Sequence, residues 1–160
     1  MKAWVHVFPE GRIRQEAQYQ MRYFKWGVSR LVLESENTPI VVPIFHTGLD
    51  EIMNEERKFP RFLPRLGKTF EITFGDPIEM DVIEGFRDRW NSLKNREGPK
   101  SIDASKLRSQ VAKTLRDAVN EIGIERGLPA DYMKDINSET YREVGEQEIV
   151  SGKEAIQHVS

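Results

Sequence analysis

One short stretch gathers groups able to hold an anion. In Phe8-Pro9-Glu10-Gly11-Arg12-Ile13-Arg14 a carboxylate and two guanidiniums emerge together from a turn. An arginine fork can grip two phosphate oxygens at once. Glu10 could orient an arginine or accept a hydrogen bond from a substrate hydroxyl. A solvated charged turn is the commoner explanation of such spacing, and both readings stand. The three histidines are His6, His46 and His158. His158 lies in a polar tail and reads as solvated. His6, between Val5 and Val7, fits the less buried face of a strand. His46 follows an apolar run and precedes Thr47-Gly48-Leu49-Asp50. Sites in α/β sheets form at strand ends, so a His46–Asp50 dyad is one reading and a plain strand-ending turn the commoner one.

Other chemistries lack their patterns. No His-Glu-x-x-His, calcium loop, glycine-rich phosphate loop or serine on a nucleophile elbow occurs. No cofactor is expected. With no cysteine, disulfides, thiolate catalysis and thiolate metal sites are excluded. The 24 Lys and Arg against 26 Asp and Glu give a net charge of −2, which argues against a nucleic-acid-coating polycation. Lys25 and Arg30 read as the polar face of a helix. Lys58, Arg61 and Arg65 alternate with Phe59, Phe62 and Leu66. That mixture suits the interface of an anionic bilayer, and an ordinary surface loop suits it equally well.

The elements that must position these groups follow from periodicity. Trp4–Phe8 alternates like a strand, not a signal peptide, and Pro9-Glu10-Gly11 ends it. Residues 12–20 are polar loop. Phe24, Val28, Leu31 and Val32 predict an amphipathic helix over 23–35. Ile40–Phe45 is a β-branched run with Pro43 inside it, so an edge strand or a bend. It is also the longest apolar run, far short of the ~20 residues that span a bilayer. Residues 46–67 form an irregular excursion. Phe70, Ile72 and Phe74 alternate with Thr69, Glu71 and Thr73, the cleanest strand. Val82, Ile83, Phe86, Trp90 and Leu93 predict a helix over 81–95. Leu107, Val111, Leu115, Val119 and Ile122 predict another, capped by Ser101 or Asp103 and stopped at Gly127. The 160 residues thus divide into 1–127, one packed part, and 128–160, a loosely ordered tail. The order implies an α/β fold, a partial mixed sheet flanked by helices. Three strands leave apolar faces uncovered, so a further part of the same domain is expected on one side.

Three ordered blocks carry a resemblance. Trp4-Val5-His6-Val7-Phe8-Pro9-Glu10-Gly11, Phe24-Lys25-Trp26-Gly27-Val28 with Arg30-Leu31, and Pro39-Ile40-Val41-Val42-Pro43-Ile44-Phe45-His46-Thr47-Gly48 resemble the phospholipid/glycerol acyltransferase family, and within it the tafazzin branch. Phe59-Pro60-Arg61 fits as well. The likeness covers roughly residues 3–95, and more loosely the helix to Gly127. It implies an α/β acyltransferase domain that moves fatty acyl chains between phospholipids and lysophospholipids. For the tafazzin branch it further implies cardiolipin remodelling, without obligatory acyl-CoA, by a protein held peripherally on mitochondrial membranes. By position, Phe8, Pro9, Glu10 and Gly11 would help hold the glycerophosphate part. Arg12 matches the basic residue that follows this block in tafazzins. General acyltransferases have Thr then Arg there. Here those places are Arg12 and Ile13, and Arg14 is the candidate replacement for the displaced arginine.

One departure bears on catalysis. The family's His-x4-Asp motif, a general base and the carboxylate that orients it, stands ahead of the Phe-Pro-Glu-Gly block. Here Gly11 stands five residues after His6 and Glu51 five after His46. The expectation is that the motif lies before Met1, that this chain is the C-terminal portion of such a domain, and that it is inactive alone. The alternatives are a non-catalytic lipid- or protein-binding module and a 1-acylglycerol-3-phosphate acyltransferase, against which Arg12-Ile13 argues.

Overall fold

The computed structural model describes residues 3–11, 21–54, 58–59 and 63–128. Arg12, Arg14, Pro60, Arg61, Phe62 and the tail from 129 onward lie outside the described residues. The elements run α1 (Trp26–Glu34), β1 (Ile44–Thr47), α2 (Leu49–Ile52), β2 (Glu71–Phe74), α3 (Met80–Arg96) and α4 (Ile102–Glu125). The expected α/β class is borne out. Among the described residues the sheet has two antiparallel strands, β1 and β2.

The long helices match their sequence periods. Ser101 caps α4, its hydroxyl accepting from the Ala104 amide at 3.1 Å, as Ser and Asp favour at helix starts. Several expected elements differ, among them the 46–67 excursion, which holds the end of β1 and all of α2. Residues 3–8 form no strand, because a strand exists by pairing and no described segment pairs with them. Helix α1 starts at Trp26 rather than Tyr23. Lys25 is extended (φ −69°, ψ 149°) and its amide is taken by the Pro9 carbonyl at 2.8 Å. The first sheet strand is confined to 44–47, since Pro43 has no N–H to donate. Its carbonyl still accepts from Gly75 N–H at 2.9 Å, and that of Val41 from Ile78 N–H at 2.9 Å.

Helix α4 is the shared floor. Val32 and Leu33 of α1, Ile83 and Trp90 of α3, and Leu107, Val111 and Leu115 of α4 form one buried cluster. β1 lies on the far end of α4, where the Phe45 ring covers Gly123. A Cβ there would sit 3.2 Å from the Phe45 ring and 2.9 Å from Leu128. Polar links fix the helices' register: Ser29, fully buried on α1, donates to the Arg108 carbonyl at 2.7 Å, and the Arg108 guanidinium lies 4.6 Å from the Trp90 ring, a cation–π distance.

The two faces of the sheet are unequal. Side chains alternate along a strand, so Phe45 turns to α4 while Ile44 and His46 turn away. Their cross-strand partners on that outer face are Phe74 and Ile72, exposed by 67% and 48%. Among the described residues no element covers them.

Candidate functional site

The Phe8–Gly11 turn is held from three directions. It closes on itself through Gly11 N–H donating to the Phe8 carbonyl at 3.1 Å. Proline second and glycine fourth suit a β-turn. Gly11 has φ +64°, which favours glycine; a Cβ there would also meet the flexible end of Lys25 at 3.0 Å. From the segment before α1, Lys25 N–H donates to the Pro9 carbonyl and Arg22 N–H donates to Glu10 Oε2 at 3.1 Å. On the third side, Phe8 meets the His46 ring edge-on with centroids 6.4 Å apart, and lies 4.6 Å from His6 with the two rings tilted by 45°.

Beneath the turn lies Arg116 of α4, 2% exposed. Its Nη2 donates to the Met21 carbonyl at 2.8 Å. Its charge, with those of Arg22 and His46, is near enough to stabilise the Glu10 carboxylate. Burial of that carboxyl is the stronger effect and leaves its pKa above the ordinary carboxylate value; the Arg22 amide, Arg116, Arg22 and His46 oppose it in that order. The result is a half-buried carboxyl, bonded to the Arg22 amide and acted on by the charges of Arg116, Arg22 and His46. Such a place accepts hydroxyl donors at the carboxyl and an anionic oxygen at the partly exposed Arg22, while buried Arg116 acts from behind through its charge.

Of the predicted site residues, Phe8, Pro9, Glu10 and Gly11 are brought together, while Arg12 and Arg14 lie outside the described residues. Lys25 is corrected: it does not belong to a helix's polar face, since it precedes α1 and its stem crosses Gly11. Arg30 does lie on that face, pairing with Glu34 at 3.1 Å. His46 is corrected: it does not follow the strand but lies inside β1, with Thr47 its last residue; its ring neighbours Phe8, whereas Asp50 goes to α2. Arg22 and Arg116 went unnoticed in the sequence. The signal for Arg116 is a charged residue among the buried small residues Ala112 and Gly123. Among the described residues no group of His, Asp and Glu could hold a metal, and no helix is long and apolar enough to cross a membrane.

No protein-family model matches the chain. Individual proteins do. An Arabidopsis thaliana N-acylphosphatidylethanolamine synthase is 40% identical over half of the chain and 28% of its own length. These likenesses mark the phospholipid acyltransferases as the class to which the chain is similar. Within that class the chain is tafazzin-like. Saccharomyces cerevisiae tafazzin is 39% identical over 81% of the chain, and Drosophila melanogaster tafazzin is 30% identical over 71% of it. The chain spans 39% of the yeast relative's length and 27% of the fly one's.

Proposed function

We propose that the chain contributes to a phospholipid–lysophospholipid transacylase in which the Phe8–Gly11 turn holds the glycerophosphate part of the lipid. The observation that carries this reading is Glu10: a half-buried carboxyl, bonded to the Arg22 amide and stabilised by the charges of Arg116, Arg22 and His46. The carboxyl suits a glycerol hydroxyl and the partly exposed Arg22 suits its phosphate, and Arg12 and Arg14 add charge just after the turn. In the reaction the acyl ester of a donor phospholipid breaks and a new ester forms on the lysophospholipid hydroxyl. The proton of that hydroxyl must be taken by a base.

That base comes, in this reading, from a His-x4-Asp motif in residues ahead of Met1. The bare outer face of the sheet, with Phe8, His46, Ile72 and Phe74, is where the rest of the domain packs. The tafazzin-like sequence supports cardiolipin as the remodelled lipid and mitochondrial membranes as the place of work. Phe59 and Leu66, 88% and 96% exposed beside Lys58, Arg65 and Lys68, are the groups that would enter the bilayer interface.

The test is an acyl-transfer assay with cardiolipin as donor and lysophosphatidylcholine as acceptor. The 160-residue chain is compared with a longer product carrying the upstream His-x4-Asp sequence. Transfer by the longer product alone is expected. Transfer by the short chain would place the base within it, and none by either would overturn the reading. A parallel arm with phosphatidylethanolamine as acceptor covers the activity named for the Arabidopsis relative.

A further inference from the structure

The peptide group joining Met21 to Arg22 is engaged at both ends. Its carbonyl accepts from Arg116 Nη2 at 2.8 Å, and its N–H donates to Glu10 Oε2 at 3.1 Å. Arg116 comes from the middle of α4, 95 positions after Met21. We propose that Arg116 is a positioning residue for Glu10, acting through this peptide group as well as by its charge.

Three observations converge. Burying a guanidinium is costly unless it is paired, and Arg116 is 2% exposed on a helix whose neighbouring buried positions are otherwise small or apolar. Hydrogen bonds in series polarise one another: drawing electrons toward the Met21 oxygen makes the Arg22 N–H a better donor to the carboxylate. The turn also has few other anchors. Among the described residues, beyond its own closing bond, its backbone is tied only to the segment Met21–Lys25, and Arg116 ties that segment to α4 at Met21. Among the described residues, the charged groups acting on Glu10 are thus Arg116 from α4, Arg22 from the segment before α1 and His46 from β1. Loss of Arg116 frees the Met21 carbonyl, lets the Arg22 amide drift from Glu10 and removes a nearby cation. Each step disfavours the ionised carboxyl. For catalysis the proposal rests on Glu10 belonging to the lipid site, but its physical content does not.

The test is therefore independent of acyl transfer. The Glu10 side-chain carboxyl is titrated by carbon-detected NMR in the 160-residue chain, its signal assigned with Glu10→Gln. Arg116→Gln is expected to raise the proton affinity of Glu10 several-fold, and Arg116→Lys, which keeps the charge, to restore part of the difference. A wild-type Glu10 midpoint in a folded Arg116→Gln protein would overturn the proposal. If Arg116→Gln does not fold, the reciprocal measurement decides. Glu10→Gln is expected to shift the Arg116 guanidinium nitrogen signals, and unchanged signals would overturn the proposal as well. A failed transacylase assay beside a shifted Glu10 midpoint would remove the functional reading and leave the positioning role.

Discussion

Arg87 of α3 closes the end of α1 at Ser35. Its Nη1 donates to the Ser35 hydroxyl at 3.0 Å and its Nη2 to the Ser35 carbonyl at 2.7 Å, while Nη1 also reaches the Val32 carbonyl at 2.7 Å. The last carbonyls of a helix lack partners within it, and here a neighbouring helix supplies them. Charge-assisted bonds of this kind are worth about 1.5–3 kcal/mol each, though they are shared and partly solvated. Arg87→Ala is expected to destabilise the chain by about 2–3 kcal/mol in denaturant unfolding. Arg87→Lys, which lacks the fork, should recover less than half.

Two glycines give opposite predictions. At Gly123 a Cβ would press on Leu128 and the Phe45 ring, whereas at Gly85 on α3 nothing lies within 4 Å. Gly123→Val should cost about 1–3 kcal/mol through overpacking. Gly85→Ala should gain about 0.5–1 kcal/mol from helix propensity and a less flexible unfolded chain. Thermal unfolding of the two variants checks both signs.

The stability of the chain should carry a signature of Glu10. Burial raises its folded pKa above the ordinary carboxylate value. Between the two values the folded state binds more protons than the unfolded state. The contribution of Glu10 is therefore full below the unfolded pKa and is lost as the pH rises through the folded one. Glu10→Gln is expected to flatten the profile just above the ordinary carboxylate range. Urea midpoints measured across mildly acidic to neutral pH test this. A profile unchanged by the substitution would contradict the burial argument.

The outer sheet face should separate stability from function. Phe74 and Ile72 are too exposed to anchor the described core, so Phe74→Ser and Ile72→Ser should change the unfolding free energy of the 160-residue chain by less than about 0.5 kcal/mol. In the longer product, where the proposal has this face covered, the same changes should lower transacylase activity and thermal stability together.

Membrane contact should reside in the loop before β2. Phe59→Ala with Leu66→Ala is expected to reduce co-sedimentation with cardiolipin-containing vesicles several-fold. Neutral vesicles should bind weakly with or without the substitutions, since the loop's lysines and arginine favour anionic lipid. Equal binding by the double variant would assign membrane contact to another surface.

Much of this was legible in the sequence because it is local. The stripe Leu107–Ile122 determined α4 and Ser101 its start. The alternation Phe70–Phe74 located β2, and Pro9 and Gly11 dictated the turn. These signals live within a few residues, where period and backbone freedom act. What the tertiary structure decided is long-range. Trp4–Phe8 alternates like a strand yet forms none, since no sequence period supplies a pairing partner. Lys25 carries the composition of a helix face yet stays extended, because the Pro9 carbonyl takes its amide. Arg116 looks like one more charge on a helix, and only folding lays it beneath residues 94 to 106 positions earlier in the chain. Burial of Glu10, and with it the site's proton affinity, depends on that same long-range packing. The sequence determined which groups are available for chemistry; packing decided which of them meet.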